Sequence, residues 1–295
     1  MTPDTIIADA GSVPLRPDLP VSLVLGAGGV RGLAHVGALD VLLRGGFEVT
    51  DIAGSSVGAL IGAFYAAVGL DAGELARAGH ELRSRHVLSW ALVRGAPPWV
   101  RRLGLRCCGR IPEYLQQVGG ATFARLHHGV RRLTIVAFDV TTGDLVICDG
   151  RSQIDVADAM RGAVAIPGVF PPRHCTDRGR ELRLADAGGI NGLPVEVLFR
   201  DGVAPAQIVA IDISGSPAGR ARNREKIARL RREHPRLPIA VLYPQTLGEG
   251  TLVYSRGVPG KLFEAGRAAS RQLISGRTDR RPAEALRDAA IAEPA

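Results

Sequence analysis

One pattern occurs twice in succession near the start of the chain: a short apolar run, a glycine-rich turn, then a helix. Val21–Leu25 runs into Gly26-Ala27-Gly28-Gly29-Val30-Arg31-Gly32, and Leu33–Leu43 follows with helical spacing of its apolar residues. Val49–Ala53 runs into Gly54-Ser55-Ser56-Val57-Gly58, and the small-residue helix Ala59–Val68 follows. A strand followed by a crossover helix and a second strand pairs in parallel, because a short turn cannot bring the chain back in the same sense. The repeat therefore confines the fold to the α/β class with a mainly parallel central sheet.

Later segments continue the alternation. Strands are predicted at Leu133–Phe138, Leu145–Cys148, Leu182–Ala185, Ile208–Ile213 and Ile239–Tyr243, the first two joined by a Thr-Thr-Gly-Asp turn. Residues 71–130 read as helical and polar, broken at Gly95-Ala96-Pro97-Pro98, and Val156–Val164 as a further helix. With 46% hydrophobic residues, the chain of 295 can bury one sizeable core. Residues 1–20, dotted with Pro and Asp, are expected as a flexible arm, 21–275 as the domain, and 276–295 as a charged tail.

The two turns carry the chemistry. Gly54-Ser55-Ser56-Val57-Gly58 is a G-x-S-x-G string between a strand and a helix, the context of a nucleophile elbow. Glycines on either side permit a turn too tight for a Cβ, and the following helix aims its N-terminal N–H groups at a developing anion. Ser56 is the candidate nucleophile. Gly26–Gly32 admits two readings. As a dinucleotide cradle it lacks the third glycine of the fingerprint, where Arg31 stands, and the next strand leads into the serine turn. As an oxyanion hole it offers the N–H groups of Gly28 and Gly29. Two glycine-rich turns in succession, one holding a serine, favour the second. A nucleotide-binding or regulatory protein using Gly26–Gly32 is the alternative.

Four blocks together resemble patatin-like phospholipases: LVLGAGGVRGLAHVGALDVL (23–42), IAGSSVGALIGAFYAA (52–67), AIPGVFPP (165–172) and LADAGGINGLPVEV (184–197). The motif-bearing core is 21–214. The resemblance implies a three-layer α/β/α domain that hydrolyses acyl esters of lipids through a Ser–Asp dyad. By position, Ser56 becomes the nucleophile, Asp186 the base, Gly28 and Gly29 the oxyanion donors, and Arg31 the support of their loop. Two positions depart from the family pattern: Ala187 follows the aspartate where Gly is usual, and Ala27 stands where many members have Gly. If residue 187 needs a positive φ, alanine strains it by about 1–2 kcal/mol.

A lone carboxylate is a weak base, so Asp186 needs partial burial to be useful. The end of an apolar strand suits that. A rival Ser–His–Asp triad would draw on His174, placed between Pro171-Pro172 and the strand before Asp186. His35 reads as structural, and His127-His128 as solvated. Ile166–Pro172 is too proline-stiffened to join the sheet and suits a rigid wall. The chemistry calls for no metal or organic cofactor, and an acyltransferase would use the same residues.

The formal net charge of +8 comes mostly from arginine; it suits polyanionic partners, or reflects a coding bias of arginine over lysine, and by itself does not choose between them. Trp90–Arg106 interleaves apolar and basic residues and holds both tryptophans, as an interfacial segment facing an anionic membrane would, or as a surface helix would that packs Trp90 and Trp99 inward with arginine outside. Arg220–Arg232 reads as a solvated basic helix, with membrane phosphate contact as the alternative. No nucleic-acid motif occurs. Cys107, Cys108, Cys148 and Cys175 lack metal spacing and read as free thiols. With no signal peptide or apolar span in view, the expected location is cytoplasmic, with peripheral membrane contact.

Overall fold

Residues 8–82, 84–94, 105–246 and 257–278 are described by the computed structural model. Nine strands run through them: β1 (Ala8–Asp9), β2 (Val21–Leu25), β3 (Val49–Ser55), β4 (Arg132–Asp139), β5 (Leu145–Cys148), β6 (Arg173–Asp177), β7 (Arg180–Asp186), β8 (Ile208–Ile211) and β9 (Ile239–Leu242). They form one sheet in the order β1-β9-β8-β2-β3-β4-β7-β6, with β5 also paired to β4. The centre, β9-β8-β2-β3-β4, is parallel, and the pairings of β1, β5, β6 and β7 are antiparallel.

Successive side chains on a strand point to opposite faces. Leu23 and Leu25 enter one core and Val24 the other, and the pairs Ile52/Ala53, Ile135/Val136, Val209/Ala210 and Ala240/Val241 divide likewise. Both faces are buried, which is why these strands read as unbroken apolar runs. The first core is covered by α1 (Leu33–Arg44), α2 (Val57–Gly62), α6 (Val156–Ala163) and α8 (Val258–Thr278), through Leu39, Ile61, Met160 and Leu273. The second is covered by α7 (Pro217–Glu233) and the 3-10 turn Val195–Phe199, through Ile227, Leu230 and Leu198. The fold is thus the α/β/α arrangement. α3 (Ala72–Glu81) and α5 (Ile111–Gln117) pack at the margin of the first core, and α4 (Ser84–Arg94) contacts α5.

One detail of register positions the site. Ile135 and Val136 are flanked by β3 and β5, whereas Ala137 and Phe138 are flanked by β5 and β7. β3 and β7 therefore lie end to end along the same edge of β4, with Ser55 opposite Val136 and Asp186 opposite Ala137.

Several expectations differ from what is observed. Within the 1–20 segment, expected to be a flexible arm, Ala8–Asp9 pairs with Val241–Leu242. Leu15 is buried, and the Gln207 amide donates to the carbonyls of Arg16 and Leu19 at 2.6 and 2.7 Å. Residues 1–7 lie outside the described residues. β6 was not anticipated; it forms a hairpin with β7 through Arg178 and Gly179, both at positive φ. The helix after Ser56 widens into a π-helical turn at Ala63–Val68. α8 was not anticipated either and runs to Thr278, into the expected tail, of which residues 279–295 lie outside the described residues. So do residues 95–104, with Trp99, from the expected interfacial segment. Among the described residues no helix is long and apolar enough to cross a membrane.

Candidate active site

One residue separates the end of β3 from the start of α2, and it is Ser56. Its backbone stands at φ 54°, ψ −126°. A non-glycine residue held there carries about 1–3 kcal/mol of strain, sustained only where the surroundings over-determine it. The flanking glycines show how. A Cβ on Gly58 would stand 2.1 Å from the Leu25 carbonyl oxygen, and one on Gly54 2.5 Å from the backbone of Gly58 and Ala59. Strand and helix are pressed together on both sides of the serine, whose side chain meets the end of β7.

There the Ser56 hydroxyl donates to Asp186 Oδ2 at 2.6 Å, and the Gly188 N–H donates to Asp186 Oδ1 at 2.7 Å. Asp186 N–H donates to the Ala165 carbonyl at 3.0 Å, so the residue is fixed at backbone and side chain alike. Both members are nearly closed off from solvent, Ser56 at 6% exposure and Asp186 at 8%. Burial pushes the Asp186 carboxyl above the ordinary carboxylate range, opposed by the bonds from Ser56 and Gly188.

The glycine-rich turn after β2 lies alongside. Gly26 and Ala27 donate their N–H groups to the carbonyls of Ile211 (3.1 Å) and Gly192 (2.7 Å). Among the described residues, no hydrogen bond takes up the N–H groups of Gly28 and Gly29. Gly28 packs against Ile213, whose side chain a Cβ would meet at 2.6 Å. Arg31 is buried and donates through Nε to the Ile213 carbonyl at 3.0 Å, tying the 3-10 turn Gly29–Gly32 to the segment after β8. His35 is fully buried in α1, and its Nε2 donates to the Gly26 carbonyl at 2.8 Å. Desolvation holds its pKa down to about 4, against that bond.

Ala187 does not take a positive φ; the non-glycine residues that do are Ser56, His128 and Arg178 among those described. Its methyl group is buried in the same core as Val24, Ala53 and Val136. The conditional strain at this position is therefore absent. The glycine with no room for a side chain is the next one: a Cβ on Gly188 would stand 2.8 Å from that of Ala27.

No histidine bonds to Ser56 or Asp186 among the described residues. His174 is exposed on β6 opposite Arg183. His127 is half-buried, while His128 stacks on Tyr65 at 4.5 Å and shares a hydrogen bond with the Gly69 carbonyl. Of the segment expected to be interfacial, Trp90 is half-buried and Leu92 exposed on α4. The four cysteines are free. The groups that sequence reasoning missed are all main-chain: Gly188 N–H, and the carbonyls of Ala165, Gly192 and Ile213. Only the glycine at 188 left a trace in the sequence.

Comparison with known proteins bears on this arrangement. The family model of patatin-like phospholipases matches residues 23–199. An uncharacterized NTE family protein of Mycobacterium tuberculosis is 33% identical over 209 residues, covering 70% of this chain and 52% of the relative. The chain thus spans about half the length of that curated relative. In fold it is similar to VipD from Legionella pneumophila (TM-score 0.52, 14% identity, covering 94% of this chain and 72% of that one). It is also similar to human GIVD cytosolic phospholipase A2 (TM-score 0.50, 12% identity, 90% and 60%). The matched span begins inside β2 and ends past Asp186, enclosing both glycine-rich turns, and on that match the chain belongs to the patatin-like phospholipase family.

Proposed function

We propose that the protein is a serine acyl hydrolase acting on lipid esters, with Ser56 as nucleophile and Asp186 as general base. The observation that carries this reading is the 2.6 Å hydrogen bond between two buried side chains 130 residues apart, one on a strained turn and the other at a strand end. Family membership supplies the substrate class, since the matching model describes phospholipases.

In the proposed reaction Ser56 Oγ attacks the ester carbonyl carbon while Asp186 Oδ2 takes its proton. The carbonyl oxygen becomes the oxyanion and accepts from the N–H groups of Gly28 and Gly29, with the N-terminus of the helix after Ser56 adding its dipole. Collapse expels the alcohol, which leaves with the proton from Asp186, and Ser56 holds the acyl group. Water then attacks the acyl-enzyme, losing its proton to Asp186, and the fatty acid departs as Ser56 recovers its hydrogen. Burial makes Asp186 a stronger base than a solvated carboxylate, and Gly188 keeps its second oxygen from turning away. Arg31 holds the oxyanion loop against Ile213. An acyltransferase would differ only in the acceptor that meets the acyl-enzyme.

The test is labelling by a fluorophosphonate, which reacts with activated serines. Wild type is expected to label, Ser56→Ala not at all, and Asp186→Asn at least about 10²-fold more slowly, since general-base assistance contributes about that much. Labelling of Asp186→Asn at the wild-type rate would remove Asp186 from the role. A rise in melting temperature with nucleotide, in a protein that does not label, would favour phosphate binding at Gly26–Gly32.

A further inference from the structure

Helix α7 carries a charge pattern that the site does not use. Gly219, Asn223, Ile227 and Leu230 form its buried side. Along one flank, Arg222, Lys226, Arg229 and Arg232 recur at the spacing of one helix face. They line a groove of about 420 Å³ whose opposite wall is Ile190 and Asn191, from the segment that follows Asp186. Lys226 is committed to that wall: its Nζ donates to Asn191 Oδ1 at 2.7 Å and the Leu193 carbonyl at 2.9 Å, and pairs with Glu196 at 2.8 Å. The arginines are not so committed. Arg229 has Glu233 at 3.7 Å, and no carboxylate lies within ion-pair distance of Arg222 or Arg232 among the described residues. Glu225 is the one carboxylate besides Glu196 in the lining.

A solvated basic helix would need nothing more. What sets this one apart is its border: Ile190 is 58% exposed and Leu145 40% exposed, two large aliphatic side chains on the rim of a cationic groove. The wall between groove and dyad is a single short segment. Asn191 N–H donates to the Ala187 carbonyl, and Gly192 accepts from Ala27 in the oxyanion loop. Since α7 connects parallel β8 to β9, it starts at the sheet edge where the dyad lies. Guanidinium groups beside exposed aliphatics match a phospholipid surface, phosphates outside and acyl chains beneath.

We propose that this face docks the protein on anionic phospholipid bilayers, Arg222, Arg229 and Arg232 meeting lipid phosphates and Ile190 entering the headgroup layer. It rests on the acyl-hydrolase reading only for the purpose of docking, which is to set the dyad edge against its substrate.

Vesicle co-sedimentation tests it, with Ser56→Ala as the parent protein so that turnover cannot change the vesicles. The parent is expected to pellet with vesicles containing phosphatidylglycerol and to stay in solution with phosphatidylcholine alone. Each basic side chain near an anionic leaflet adds about fivefold in affinity, so the Arg222→Gln/Arg229→Gln/Arg232→Gln variant should bind about 100-fold more weakly. Its melting temperature verifies the fold. Ile190→Ser, which leaves the charges in place, should lose about tenfold. The proposal is overturned if the triple variant pellets like its parent, if the parent ignores lipid charge, or if a DNA duplex competes all protein off the vesicles. Fluorophosphonate labelling of wild type alongside separates the two readings. Labelling without vesicle binding ends the docking proposal alone; vesicle binding without labelling ends the hydrolase reading alone.

Discussion

Burial makes the ionised form of Asp186 costlier in the folded protein than in the unfolded chain, and that sets a measurable sign. Burial raises its folded pKa above the ordinary 3.8, so the folded state keeps the proton to higher pH than the unfolded chain. Its contribution is most favourable below 3.8 and declines as pH rises through the folded value. At neutral pH the buried carboxylate therefore opposes folding. Asp186→Asn removes that opposition and can keep both partners, its amide oxygen accepting from Gly188 N–H and its NH2 donating to Ser56 Oγ, so calorimetry at pH 7 should show it melting above wild type. The gap should close toward pH 4; a gap that widens there would refute the burial argument. His35 has the opposite sign: with a folded pKa of about 4 against 6.5, its neutral form is fully tolerated above 6.5, and stability is lost as pH falls below it. That loss is common to both proteins and cancels in the difference. The serine was legible from local spacing because strain needs glycines beside it. The aspartate was legible only through family resemblance, since nothing local announces a partner 130 residues away. The backbone groups that hold Asp186 have no side-chain signature.

At the level of elements, the strands buried on both faces were the readable ones, because an uninterrupted apolar run is itself the signal. β6, with sequence Arg-His-Cys-Thr-Asp, turns only Cys175 toward the core and forms because β7 offers it an edge. β1 is two residues long, too short for any period. α8 escaped notice because glycine and arginine dilute its apolar stripe, and the glycine has a use. A Cβ on Gly37 of α1 would stand 2.0 Å from the Phe263 carbonyl oxygen, and one on Gly266 of α8 1.9 Å from that of Ala34. The two helices cross backbone to backbone. Gly266→Val should force them apart and lower stability by about 1–3 kcal/mol, read as a lower urea midpoint. An unchanged midpoint would mean that the crossing is not close in solution.

Across the molecule, the family match ends at residue 199, but the structure does not. β8 pairs with β2, Ile213 anchors both Gly28 and Arg31, and α8 covers α1. A chain stopped at residue 199 would expose a long edge of β2 and one face of α1, and both invite aggregation. Expressed in that form, the protein should partition into the insoluble fraction to a greater extent than the full chain expressed alongside. A soluble, fluorophosphonate-reactive 1–199 fragment would show that the matched core is self-sufficient. The α/β class and the parallel centre were legible in the order of strands and helices, and the three layers through the family resemblance. The antiparallel edge strands β1 and β6 were not, because edge strands answer to their neighbours rather than to their own composition.

The abutment of β3 and β7 on one edge of β4 also has a temporal meaning. Ser56 leaves the ribosome long before Asp186, and the two meet only when β7 has found its place against β4. A slip of one residue in that pairing would turn Asp186 to the opposite face of the sheet. A nascent or misregistered chain thus holds a serine without its hydrogen-bond partner, and whatever chemistry the pair performs is withheld until synthesis has passed residue 186 and the last pairing is correct.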